Sequence, residues 1–190
     1  MRVLITLIYS SLTVFYGRLT ILFHGLTALC FGLTALALSS CTISEDQLQF
    51  EQEAYRVPAG YTKTNERGII VLEDPDDWRI APMFTRLVSV EPIFPNPTKG
   101  DDLRIQVFVE RTEAVFGLYI VRVDPKSYPY RLIPLYRNMQ SPVPPGLLNI
   151  NIPFKLIFPQ HPILDERGLH RILIFDGRDN IISYGDLMLE

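Results

Sequence analysis

Asp74-Pro75-Asp76-Asp77-Trp78-Arg79 is the densest polar cluster in the chain. Three carboxylates within four residues match the oxygen donor set that a hard cation such as Ca²⁺ takes. The same residues also make a solvated turn, with Trp78 packed on the domain and Arg79 paired locally, and that is the first reading of the cluster. His161, between Pro159 and Pro162, has Asp165 and Glu166 nearby as a second loop-spaced ligand combination. His170 is expected to open a strand as a packed or edge residue. Tyr119, Tyr128, Tyr130 and Tyr136 fall close together beside Pro129 and Pro134. Such aromatics stack on sugars, form protein interfaces, or fill the rim of a core. No motif pairs a nucleophile with a base: Gly-x-Ser-x-Gly, His-Glu-x-x-His and a phosphate-binding glycine loop are all missing from the sequence. Asp101 and Asp102 are adjacent, and neighbours on a strand point to opposite faces. The expectation is a non-catalytic protein with no cofactor.

The elements that must position these residues are short. Ile69 to Leu72 and Leu87 to Phe94 are rich in β-branched and aliphatic residues, and Leu103 to Glu110 alternates apolar with polar. Val115 to Val123 is apolar on both faces, as a central strand would be, while Pro134 makes Tyr130 to Tyr136 an edge. Leu148, Ile150, Ile152, Phe154, Leu156 and Phe158 alternate through 148–158, which predicts one half-buried strand. His170 to Phe175 and Ile181 to Leu189 flank Asp176-Gly177-Arg178-Asp179-Asn180, a hairpin turn. About eight short strands with no long amphipathic helix between them predict an all-β, antiparallel sandwich.

The first forty residues are of a different material. They hold no Asp, Glu, Lys or Pro, and their only fixed charges are Arg2 and Arg18. Leu19 to Leu38 is apolar and long enough to cross a bilayer core of about 30 Å as a helix. It ends in Leu38-Ser39-Ser40-Cys41, which resembles the lipobox of bacterial lipoproteins: an aliphatic residue, two small residues, then cysteine. That resemblance implies a diacylglyceryl group on the Cys41 thiol, cleavage after Ser40 and removal of residues 1–40. Two or three acyl chains anchor a protein stably, where one binds only marginally. The alternative is an uncleaved membrane helix with Cys41 just beyond it. Cys30 is a poor rival site, because bulky Leu29 precedes it.

Removal of residues 1–40 leaves 150 residues, enough for one domain. They carry 16 basic and 21 acidic side chains, a charge of −5 that disfavours nucleic acid as a partner. All 15 prolines lie in this part, which favours strands and loops. Cys41 is its only cysteine, so no disulfide forms within it. Residues 41–68 read as a tether, with Ser44-Glu45-Asp46-Gln47 as a capping box opening a short helix to Tyr55. Residues 69–190 read as the β-sandwich.

Ile93-Phe94-Pro95-Asn96-Pro97, then Thr98-Lys99-Gly100 and an alternating strand, resembles a known domain opening. It is similar to the immunoglobulin-like domains of flagellar hook-capping proteins and the C-terminal sorting domains of type IX secretion cargo. The closing segment, Gly168-Leu169-His170-Arg171-Ile172-Leu173-Ile174 with its hairpin, resembles the family's close, with His170 where Tyr is usual. The resemblance covers 93–190 and implies an immunoglobulin-like fold in a Gram-negative source, without an activity. The expected role is a lipid-anchored interaction or assembly module with an envelope protein partner. The alternatives are a carbohydrate- or ligand-binding surface lipoprotein and an enzyme with an unrecognised site. Thr42 in place of Asp after Cys41 implies outer-membrane sorting, and Ser44-Glu45-Asp46 resembles an acidic surface-export tag, so a periplasmic and a surface-facing placement both stay open.

Overall fold

The computed structural model of the chain describes residues 44–112, 114–124, 131–158 and 167–190. Residues 45–190 form a compact unit. Its elements are α1 (Glu45–Ala54), β1 (Lys63–Thr64), β2 (Ile70–Leu72), a 3-10 turn (Pro82–Phe84), β3 (Val88–Phe94), β4 (Leu103–Val109), β5 (Leu118–Asp124), β6 (Arg131–Asn138), β7 (Gly146–Ile152), α2 (Phe154–Ile157), β8 (Gly168–Asp176) and β9 (Ile181–Leu189). The strands form a two-stranded sheet β1-β2, a three-stranded sheet β3-β4-β7 and a four-stranded sheet β6-β5-β8-β9. Every strand pair is antiparallel.

Alternation explains the three-stranded sheet. Leu103, Ile105, Val107 and Val109 of β4 are buried, while Arg104 and Phe108 between them are exposed. Val107 stands opposite Val90 on one side, and Ile105 opposite Ile150 on the other. One face is therefore a stack of branched aliphatics and the other is wet. The four-stranded sheet is buried on both faces at β8, where Ile172, Leu173 and Ile174 are consecutive and fully buried. Leu173 shares its face with Tyr184 of β9. Phe50 of α1 packs on that Tyr184 ring at 5.0 Å between centroids. The helix thus covers the face of β8 and β9 that Leu173 occupies, and Ile120 opposite Ile174 lies on the other face.

Two sequence expectations need correction. The stretch to Gly68, read as a tether, is packed into the unit from Glu45 onward. Gln47, Phe50 and Ala54 of α1 are buried, as are Thr62 and Thr64 around β1. The strand expected over 148–158 stops at Ile152. Pro153 has no N–H for the ladder. The next residues make α2, where Phe154 donates its N–H to Asp102 Oδ1 at 3.0 Å. Phe154, Ile157 and Phe158 are buried there, and Leu156 faces water.

The Phe94-Pro95-Asn96-Pro97 motif is where the chain changes sheet. Phe94 makes the last β3 pair with β4, opposite Arg104. Four residues later Thr98 lies parallel to Leu189 of β9. Asn96, between the prolines, is fully buried. Its Nδ2 donates to Thr62 O and Asp186 O, both at 2.9 Å, and its Oδ1 accepts from Met188 N–H at 2.9 Å. Its main chain pairs with that of Thr64. The open edge of β9 is closed along its length in the same way. Ala81 N–H donates to Ile182 O, Trp78 N–H to Tyr184 O, and Thr98 N–H to Met188 O, at 2.8–2.9 Å.

Asn96→Ala takes the side-chain partner from two buried carbonyls, Thr62 O and Asp186 O, and from the part-buried Met188 N–H. Each unmet group costs about 1–3 kcal/mol, so the variant should lose at least ~3 kcal/mol in denaturant unfolding. Asn149→Ala on the wet face of β7 should stay within about 0.5 kcal/mol of the parent.

Candidate functional site

The site is a polar cleft of about 340 Å³ over the α1-covered face of β8 and β9. Cross-strand register places Arg171 of β8 opposite Asp186 of β9, beside Leu173 opposite Tyr184. Glu53 and Ala54 come from the last turn of α1, and Asp74 to Arg79 come from the strap along β9. Left-handed backbone at Trp78 (φ 60) turns the strap so that its N–H meets Tyr184 O. The Trp78 ring then lies against Gly185, where a Cβ would overlap it. A bulky residue rarely adopts that φ; burial of the indole offsets the strain.

Arg171 is the hub. Its Nε and Nη2 reach the two oxygens of Asp186 at 2.5 and 2.8 Å. Its Nη1 donates to Glu53 O and Ala54 O, both at 3.1 Å. Those are C-terminal carbonyls of α1, the groups a helix leaves without internal partners. The guanidinium also lies 4.7 Å from the Tyr184 ring centroid. Burial of both charges makes removal of either one costly. Arg79 Nη2 bonds Glu53 and donates to Tyr184 OH at 2.5 Å. Hydrogen bonds from Gln49 and Arg79 hold the Glu53 carboxyl below its usual range.

Asp77 accepts Thr62 N–H at 2.8 Å on one oxygen and Asp186 N–H at 2.6 Å on the other. Burial pushes its carboxyl up to about 7, against those two hydrogen bonds, and the negative charge of Asp186 adds to the rise. Burial also raises Asp186, with Arg171 opposing. A carboxyl titrating near neutrality suits general acid–base work. Here, however, both oxygens of Asp77 already hold main-chain donors and both oxygens of Asp186 hold Arg171. The arrangement clasps the N-terminal segment to β9.

The acidic cluster read from the sequence is divided by this geometry. Asp74 Oδ1 accepts Asp76 N–H at 3.1 Å in a local turn. Asp77 points away into the clasp, Trp78 is buried and Arg79 pairs with Glu53. Among the described residues no three His, Cys, Asp or Glu side chains converge on a metal position. Two of the four tyrosines singled out, Tyr119 and Tyr136, lie among the described residues. Tyr119 stands opposite Arg137 and Tyr136 opposite Ile120, so the two lie on opposite faces. The Tyr119 hydroxyl accepts from Arg137 at 3.2 Å. Tyr128 and Tyr130 lie outside the described residues, as do Leu38, Ser39, Ser40, Cys41 and His161. His170 is buried, with its Nδ1 3.3 Å from Arg122 Nη1 and its ring edge-on to Phe158.

Arg171, Asp186 and Tyr184 were not singled out from the sequence. The signal was present: Arg171 and Asp186 are opposite charges about equally far from the 176–180 turn, in two mostly apolar strands. Hairpin register pairs such positions.

Arg171→Met should cost about 3–5 kcal/mol, because Asp186 is left buried and uncompensated. Amide exchange of α1 should accelerate in that variant. Asp77 gives a pH signature. Its folded value of about 7 lies above the ordinary 3.8. Between those pH values the folded chain keeps a proton that the unfolded chain releases, so the stability Asp77 contributes falls as pH rises from about 4 to 7. Subtracting the stability of Asp77→Asn from that of the parent across this range should give a declining line; a flat one contradicts the assignment. No protein-family model matches the chain, and a search of curated proteins finds no relative.

Proposed function

We propose that the chain is a lipid-anchored, non-catalytic interaction or assembly module of a Gram-negative cell envelope, built on an immunoglobulin-like β-sandwich. Connection order supports the fold. In the constant-type immunoglobulin arrangement the first, second, fourth and fifth strands share one sheet, and the third, sixth and seventh share the other. Counting from β3, the first, second and fifth strands are β3, β4 and β7, which share a sheet. The third, sixth and seventh are β5, β8 and β9, which share the other. The fourth, β6, lies beside β5. Buried residues of both sheets join one hydrophobic cluster, as packed sheets do.

The docking of α1 carries the functional reading. Glu45 opens the helix four residues after Cys41. Fully extended, that is about 14 Å of chain. Arg171 fixes the far end of the helix to β8 and β9. An acyl group on Cys41 would therefore hold the folded domain directly at the lipid surface. Engagement of the Asp77 and Asp186 oxygens within the fold supports a binding role over a reactive one. The acyl chains supply the membrane partner, and a protein of the envelope supplies the other.

Cys41→Ala should leave the precursor uncut and unlipidated. A variant still cleaved after Ser40 and still floating with membranes contradicts the anchor. Mild crosslinking of cells expressing the parent should co-purify one stoichiometric protein partner. A clean monomer that instead binds glycans supports the carbohydrate-binding alternative.

A further inference from the structure

The cleft over β8 and β9 carries charge of both signs: five carboxylates and three guanidiniums line it. Two pairs are closed within the fold, Glu53 with Arg79 and Asp186 with Arg171. Asp77 holds two main-chain donors. Asp74, Asp76 and Arg56 are left, and none of them makes an ion pair among the described residues. They stand at two ends. Burial raises the Asp186 carboxyl, and the Asp74 charge adds to that rise. A Cβ on Gly60 would overlap Asp74 Oδ2. Asp74 therefore belongs to the end formed by Gly60 and Asp186. Hydrogen bonds from Gln49 and Arg79 lower the Glu53 carboxyl, and the charges of Arg79 and Arg56 add to that. Arg56 and Arg79 therefore belong to the Glu53 end.

Bonding is incomplete at both ends. Arg79 uses Nη2 for Glu53 and the Tyr184 hydroxyl, and its Nη1 has no acceptor among the described residues. Tyr184 is 3% exposed. Its hydroxyl accepts from Arg79, while its own proton has no acceptor among the described residues. Buried donors nearly always find acceptors, so an unmet one lining a cleft points to a molecule that completes it. At the other end, Asp74 accepts Asp76 N–H through Oδ1 only, and Asp76 lies exposed beside it. No single ion suits both ends. Among the described residues no three ligating side chains converge on a metal, and a lone anion meets an excess of carboxylates. A volume of about 340 Å³ lies at the small end of ligand pockets.

We propose that the cleft binds a zwitterion of about dipeptide size, its ammonium on Asp74 and Asp76 and its carboxylate on Arg56, Arg79 and the Tyr184 hydroxyl. Hydrogen bonds to charged groups are roughly twice as strong as neutral ones, and only a ligand with both charges makes them at both ends. The assignment deepens the reading of this cleft as a binding site without chemistry. It rests on that reading and is independent of the lipid.

Isothermal titration calorimetry on the full chain in detergent, near neutral pH, tests this with three probes. Glycylglycine carries both charges, glycylglycinamide the ammonium alone and N-acetylglycylglycine the carboxylate alone. Glycylglycine should bind, and each capped probe should bind at least about tenfold more weakly. Asp74→Asn keeps the acceptor for Asp76 N–H and should weaken glycylglycine about tenfold without weakening N-acetylglycylglycine. Arg56→Gln should weaken glycylglycine without weakening glycylglycinamide. Both positions lie outside the ion pairs of the fold, so the melting temperatures should match the parent's. Absence of heat from glycylglycine at millimolar concentration overturns the proposal. So do capped probes that bind as tightly, or variants that bind glycylglycine as the parent does. Assaying the titrated samples for free glycine separates the two readings. Glycine release keeps the zwitterion as ligand and overturns the non-catalytic reading, whereas intact glycylglycine without binding overturns the ligand alone.

Discussion

The carboxamide of Asn96 joins three separate parts of the chain inside the protein. It holds the approach to β1 through Thr62 and the last strand through Asp186 and Met188. A strand at the edge of a sheet presents a row of unpaired N–H and C=O groups. β9 is such a strand, and among the described residues no further strand covers its outer side. Pieces of irregular chain do so: the strap at Trp78 and Ala81, the Asn96 side chain, and Thr98. The two flanking prolines keep the Asn96 turn out of the β4 ladder; its main chain pairs with Thr64 and its side chain with β9. The Pro-Asn-Pro motif is thus the joint at which β3 leaves one sheet and reaches the other.

A second polar network depends on that closure. Arg171, Asp186 and Asp77 are linked through side chains and through Asp186 N–H. Replacing a buried ion pair by apolar residues often leaves stability unchanged or higher. The value of this network therefore lies in what it specifies. Arg171 recognises the carbonyl end of one helix, and Asp77 recognises the N–H of one residue before β1. A helix burying little more than Phe50 and Ala54 has few apolar contacts to fix its position on a sheet. Directional bonds supply that register.

Local signals in the sequence expose most of the strands. Alternation in Leu103–Val109 yields the wet and dry faces of β4, the 176–180 turn yields the β8–β9 hairpin, and Pro134 marks β6 as an edge. The second half of 148–158 misleads because Phe154, Leu156 and Phe158 continue the alternation past Pro153, where the backbone cannot. The docked N-terminal segment is hidden for a different reason. Gln47, Phe50 and Ala54 lie on one helix face, but one of the three is polar and one is small, so the stripe is faint. The site is harder still. Asp77 and Asp186 are 109 residues apart, and only the fold brings them together.

The Arg171 clamp on α1 also bears on when folding can finish. Its two bonds to helix carbonyls span 117 and 118 residues, and the Asn96–Met188 bond spans 92. Loops of that length close late, and topologies rich in them fold slowly. α1 has nothing to dock on until β8 and β9 are paired, so the helix is among the last pieces of the unit to settle, and loss of either strand from the sheet would release it.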